Sequence, residues 1–302
     1  MIIFTSLLAV SCENLMVEVK DVNLPHMDPV LNVVCFLSPD EPIEVHVIGV
    51  EPIIYNRATK VKYNSDYFVT NAQVRFGCVA TGQQFDLVYV DSLGVYVCPD
   101  GQPKPSIEQG GEYTLRVEAE GYPTATAMAV MPQADFACSN IEGDVQKIEN
   151  EYRGHFRFNL ENSSSSEQVF RVISHLHGLY ERYDYSGYDG IKVDTVVGYS
   201  LFMESYETVQ PCSSVVVLHK NIQHIQWSTC QYFDSVSFEV MLVDPDYQKY
   251  HESIIANAPD LLILGQPDGV YSNINGGLGI FVGYIRRQVT SPINYTSYDS
   301  GV

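Results

Sequence analysis

Positive charge is the scarcest commodity in this 302-residue sequence: 17 lysines and arginines stand against 37 aspartates and glutamates, a formal net charge of −20. A surface of that sign repels polyanions, which excludes nucleic acid as a partner. Tryptophan occurs once. Ser/His/Asp, Cys/His and His-Glu-x-x-His signatures are all lacking, so no catalytic residue is assigned. Glycoside hydrolysis needs only two acids across a cleft, and with so many acids that alternative stays open. The seven cysteines show no zinc spacing. No cofactor or metal is expected, no fixed-period repeat occurs, and Ser163–Ser166 is the one low-complexity tract.

What is abundant is β-forming. Apolar residues make up 45% of the chain, with 21 Tyr and 13 Phe, enough for a sizeable core and biased toward strands. Pro29–Leu37, Ile43–Ile48, Ala72–Cys78, Gln84–Tyr89 and Gly94–Cys98 read as short strands between turn signals. In Gly110–Glu120 the residues Tyr113, Leu115 and Val117 share one face, and Gly121-Tyr-Pro123 leads to Thr124–Met131. About seven such strands predict an immunoglobulin-like β-sandwich over residues 13–135.

Residues 136–302 predict a second β-rich lobe with one short helix. Phe156, Phe158 and Leu160 alternate, and Gln168–His177, Val196–Met203, Ser214–Leu218 and Ser235–Val243 continue the pattern. Residues 245–256 form the helix: Asp244 can cap it, Pro245 suits its first turn, and Tyr247, Tyr250 and Ile254 fall on one face. Near the end, Tyr271-Ser-Asn-Ile-Asn-Gly-Gly-Leu-Gly-Ile-Phe-Val-Gly-Tyr284 combines a glycine turn (Gly276, Gly277, Gly279) with a strand apolar on both faces. No helix pattern follows those glycines, so a phosphate cradle is not expected.

Residues 1–12 read as a targeting signal whose start is expected upstream. An apolar run ends in Leu8-Ala-Val-Ser-Cys12, directly before Glu13. It resembles a bacterial lipobox with Cys12 as the acylated residue. Together with the Gly-Glu-Tyr-x-Leu strand, Asp244-Pro-Asp-Tyr-Gln-Lys-Tyr-His-Glu-Ser-Ile254 and Ser272-Asn-Ile-Asn-Gly-Gly-Leu-Gly-Ile-Phe281, the whole mature chain resembles the lipoproteins of domain-of-unknown-function family 4249 from Bacteroidota. The resemblance implies an outer-membrane lipoprotein, facing the cell surface or the periplasm and anchored by lipid. It implies a non-enzymatic accessory that presents substrate to a TonB-dependent outer-membrane barrel. It supplies no catalytic residues. A structural or adhesive, fimbria-like module is the alternative from another class.

In an oxidising compartment the remaining cysteines are disulfide candidates. Cys212 and Cys230 flank a strand and its return, and Cys78 with Cys98 forms a second candidate pair. Cys35 sits in an apolar run as an expected buried thiol, and Cys138 has no assigned partner. His175 and His177 share a strand face, half of a metal site at most; a third ligand would come from His155, His219, His224 or an acid. The better binding candidate is a tyrosine-rich loop carrying Tyr180, Tyr183, Tyr185 and Tyr188, since tyrosine offers amphipathic contact area at low entropy cost.

Overall fold

A computed structural model of the chain describes residues 28–50, 67–148, 151–184, 192–224, 230–256 and 269–298. The fold is all-β, with one helix among the described residues. The first lobe contains β1 (Val30–Leu37), β2 (Glu44–Val50), β3 (Gln73–Cys78), β4 (Gln84–Val90), β5 (Val95–Val97), β6 (Glu112–Glu118) and β7 (Ala125–Val130). The second contains β8 (Phe136–Ile148), β9 (Glu151–Asn162), β10 (Gln168–Asp184), β11 (Lys192–Val209), β12 (Ser213–His224) and β13 (Cys230–Val243). Helix α1 (Pro245–Ala256), β14 (Gly277–Pro292) and β15 (Asn294–Tyr298) complete the described elements.

Alternation decides which way each strand faces. In β1, Leu31, Val33, Cys35 and Leu37 point inward and are almost fully buried, as are Tyr113, Leu115 and Val117 of β6. In β9, Phe156, Phe158 and Leu160 do the same against the facing sheet. There Phe158 meets Phe238 with ring centres 4.8 Å apart, Tyr152 meets Phe233 at 4.8 Å and Phe136 meets Phe170 at 5.1 Å. Burying such rings is favoured by the apolar area removed from water and by their tilted ring contacts.

One sheet runs through both lobes in the order β11-β10-β13-β14-β1-β2-β5-β4-β3-β6-β7, faced in the second lobe by β12-β9-β8-β15. The joint is β14. Its first half lies parallel to β1, from Leu31↔Gly277 to Leu37↔Gly283, and closes the first sandwich. Its second half lies antiparallel to β13, from Val243↔Tyr284 to Ser235↔Pro292. The change of lobe near residue 135 in sequence is therefore not a break in space, because the last long strand serves both cores.

The glycine turn is what permits this. Gly276 and Gly279 have φ of 76° and 109°, open to glycine but not to bulky residues. A side chain at Gly279 would run into the Val33 carbonyl oxygen, and one at Gly276 into that of Thr124. Gly277 has ordinary backbone angles; its constraint is crowding, with the Leu31 carbonyl 2.6 Å from where a Cβ would stand. Asn273 fastens the turn, its side chain bonding both the N–H (2.9 Å) and the C=O (3.0 Å) of Phe281.

Helix α1 starts as the sequence predicts, with the Asp244 carboxylate accepting from the Asp246 N–H at 2.8 Å. Its buried stripe is narrower than expected. Tyr247 is buried, but Ile254 is 43% exposed.

Candidate functional site

Both expected disulfides are corrected by the topology. Cys78, Cys98 and Cys212 are free thiols, as are Cys35 and Cys138. Gly77 pairs with Gln84 and Val97 with Val88, so β4 lies between Cys78 and Cys98. Two strand spacings, about 10 Å, exceed the roughly 7 Å a bridge can span. Val209, just before Cys212, pairs with Gln168, whereas Cys230 pairs with Tyr180 at the other end of β10. That separation is about 40 Å of extended strand. The two cysteines flank β12, but from opposite ends. Cys35 is buried as expected, and burial pushes its thiol well above the usual range.

The tyrosine-rich loop is also shorter than expected. Tyr180 and Tyr183 are strand residues of β10, opposite Val196 and Val193 of β11. Tyr185 and Tyr188 lie outside the described residues, as does Cys12. His175 and His177 do share a face of β10. His177 Nε2 sits 2.6 Å from Ser237 Oγ, and burial lowers the His175 pKa. Among the described residues no group of three or more His, Cys, Asp or Glu is placed to hold a metal.

What the strands do bring together is a groove on the outer face of the long sheet, beside α1. The side chains of β1, β10, β13 and β14 that point away from the main core form a second apolar cluster here. Ile173, Met241, Val243, Ile280, Val282 and Tyr284 pack under Tyr247. The helix covers only part of this face. A groove of about 420 Å³ remains, walled by Phe36, Tyr247 and Tyr284 and by Glu41, Glu44, Glu239 and Arg171. Phe36 is 37% exposed and lies 5.4 Å from the Tyr247 ring centre, presenting an aromatic shelf to solvent.

Two ionic clamps hold the groove's walls. Arg171 donates to both Glu204 oxygens, at 2.8 and 3.2 Å, and to the Tyr247 hydroxyl at 2.7 Å. This fork ties β10, β11 and α1 together in a geometry lysine could not reproduce. Burial alone would push the Glu204 carboxyl up; the Arg171 hydrogen bond outweighs it and holds it below the usual range. At the other wall the Tyr284 hydroxyl donates to Glu41 at 2.6 Å, and Arg286 reaches Glu41 at 2.7 Å and Glu239 at 3.9 Å. His251 stands 3.7 Å from Glu204, its pKa lowered first by burial and then by Arg171. The arrangement presents a ring and a fixed pattern of charges at the surface. It is suited to recognising another surface or a ligand face.

Sequence reasoning missed these partners because they meet across strands far apart in the chain. It also missed His219, named only as a conceivable metal ligand. His219 is 0% exposed, with Nδ1 2.7 Å from Ser174 Oγ and Nε2 3.0 Å from Ser205 Oγ. Burial pushes its pKa down to about 4. Its place in the inward series Val215, Val217, His219 was the available signal.

No family model matches the chain, and no curated protein matches it in sequence. Among solved structures it is similar to the native form of Escherichia coli alpha-2-macroglobulin, at 9% identity and a TM-score of 0.23. That match covers 88% of this chain and 17% of the other. Trypsin-activated alpha-2-macroglobulin from E. coli gives 12% identity and a TM-score of 0.22, covering 75% and 15%. A Salmonella alpha-2-macroglobulin mutant gives 8% and 0.21, covering 88% and 16%. The chain thus spans less than a fifth of each.

Proposed function

We propose that the protein is a cell-envelope lipoprotein, anchored through Cys12, that acts without catalysis as a substrate-presenting accessory of a TonB-dependent outer-membrane transporter. The observation that carries the reading is the clamped aromatic and ionic groove beside α1, open to solvent on a sheet continuous through both lobes. Exposed aromatic area beside fixed charges is the composition of a recognition surface. The anchor and the transporter come from the resemblance of the lipobox and the C-terminal stretch. A strongly acidic chain is repelled by anionic headgroups, so a neighbouring protein suits it better than the lipid surface. Within the groove, Glu41 and Glu239 both lie against Arg286, which leaves neither as an evident acid for glycoside hydrolysis.

The test is native purification from outer membranes in mild detergent. The wild-type chain is expected to bring down a barrel, and Glu44→Lys, a charge reversal at an exposed groove residue, to lose it while staying folded. Cys12→Ala is expected to move the protein to the soluble periplasmic fraction. Recovery of the wild-type chain alone would overturn the reading.

A fimbria-like module is a second reading, favoured by one feature. Val216, Leu218 and Ile222 of β12 are more than half exposed, and among the described residues no strand pairs with that strand's outer edge. Such an edge is a template for strand addition. Concentration-dependent polymers in solution would favour this reading over the first.

A further inference from the structure

A different groove, of about 500 Å³, lies at the junction of the two lobes. Its walls are the stretch leaving β7 (Val130–Gln133 and Asp135), the serine turn between β9 and β10, and the segment from Leu242 to Pro245 that enters α1.

The serine turn is a built wall. Asn162, 1% exposed, donates to the carbonyls of Ser166 (2.9 Å), Val209 (3.0 Å) and Gln210 (3.1 Å), and its own oxygen accepts from the Ser164 N–H at 2.9 Å. The Ser163 N–H donates to the Asp135 carbonyl at 2.8 Å, tying this wall to the one opposite.

Two independent features identify what the groove suits. Gln168 lines it and is only 8% exposed; its amide nitrogen donates to the Gln133 carbonyl at 3.1 Å, while its amide oxygen has no hydrogen-bond partner. A buried acceptor left unpaired costs stability until a donor reaches it. Separately, the charged side chains lining the groove are Asp135, Glu167 and Asp244, with no lysine or arginine among them. Burial pushes the Asp244 carboxyl up, against its hydrogen bond from Asp246, so a cation nearby would favour its charged form.

The ligand should therefore be rich in donors and positively charged. An ammonium group meets both conditions, with three donors and no acceptor. A polyol would bring no charge, and each hydroxyl sets two acceptor lone pairs beside its one donor. A divalent cation would need its carboxylates gathered, and among the described residues no three acids or histidines are so gathered. The geometry points to a site at the lobe junction for a protonated alkylamine, either a free diamine or a lysine side chain of a peptide. It is separate from the groove beside α1 and does not depend on the accessory role.

The test is calorimetric titration of the intact chain, at low ionic strength, with 1,5-diaminopentane, with an N-acetylated, C-amidated Gly-Lys-Gly peptide, and with sorbitol. Saturable one-to-one binding of the diamine, the peptide or both is expected, and which of them binds identifies the source of the amine. Asp135→Asn, at an exposed position that leaves the fold intact, should weaken binding about tenfold, or about 1.4 kcal/mol. Gln168→Met should weaken it by a similar factor. Asp86→Asn, an equal change of charge far away on β4, should leave it unchanged. Equal weakening by Asp135→Asn and Asp86→Asn would overturn the proposal in favour of bulk charge attraction. Preferential binding of sorbitol, or no saturable binding by the wild-type chain, would overturn it outright.

Discussion

The two sandwiches share a strand but solve burial differently. In the first, the buried side chains are apolar apart from Ser38 at the end of β1, and the tyrosines that enter the core bond their hydroxyls to backbone. Tyr96 donates to the Val69 carbonyl at 2.6 Å and accepts from the Ala72 N–H, while Tyr113 accepts from the Glu108 N–H at 2.7 Å. In the second, whole polar side chains are buried: Asn162, Gln168, Ser174, His219 and Ser237. An apolar core resists changes of pH and tolerates repacking; a polar one fixes a particular arrangement and fails when a partner is removed. The first lobe therefore behaves as a support, and the second as the lobe whose state can be altered.

The largest effect should come from breaking the strand that both lobes use. Gly279→Val places a β-branched side chain at φ 109° and against the Val33 carbonyl. The expected result is failure to fold, or a loss above roughly 4 kcal/mol, read as a collapse of the thermal transition for both lobes together. Two separate transitions, with only one lowered, would show that the lobes fold independently despite β14.

The next test acts on the second lobe alone. Asn162→Leu keeps the branched shape, though with bulkier methyls, and orphans the Ser164 N–H and three carbonyls. A loss of about 3 kcal/mol is expected in urea unfolding, since some of those groups regain water in the exposed turn. An effect under about 0.5 kcal/mol would mean that the polar interior is not structural.

Acid should separate the lobes more finely. His219 titrates at about 4 when folded, against an ordinary value of 6.5. Between those values the unfolded chain binds the proton and the folded one does not. The contribution is thus fully present above about pH 6.5 and is lost as pH falls toward 4, at most about 3 kcal/mol. His219→Gln should flatten the stability profile of the second lobe across that window. An unchanged slope would assign the acid sensitivity to the carboxylates.

How much of this was legible follows the range of the interaction. Alternation in Tyr113–Val117 and Phe156–Leu160 is local, as is the Asp244 cap, and each appears where the sequence places it. The tyrosine stretch misled because Gly187, Gly190 and the aspartates punctuate like a loop, while β10 continues to Asp184 and β11 begins at Lys192. The pairing of β1 with β14 joins residues at opposite ends of the chain, and no local pattern encodes it. The Arg171–Glu204–Tyr247 fork depends on cross-strand register plus the docking of a helix, so three ordinary surface residues became a clamp only in three dimensions.

The smallest expected effect sharpens the comparison by asking whether the second lobe is also stapled covalently. Cys212 sits at the exposed corner between β11 and β12 with φ 49°, its Sγ 3.6 Å from the Ser164 carbonyl oxygen. A bridge to Cys230 would stabilise by roughly 3 kcal/mol on the loop-entropy argument, and Cys212→Ser would then cost about that much. The β10 register sets the two cysteines at opposite ends of the sandwich, so the substitution should change stability by less than about 0.5 kcal/mol. Thiol titration of the unfolded, unreduced chain is the companion measurement: every cysteine among the described residues should react. A loss of two thiols together with a large penalty for Cys212→Ser would mean that β10 pairs in a different register, and the second lobe would then owe its order to the disulfide rather than to its buried polar groups.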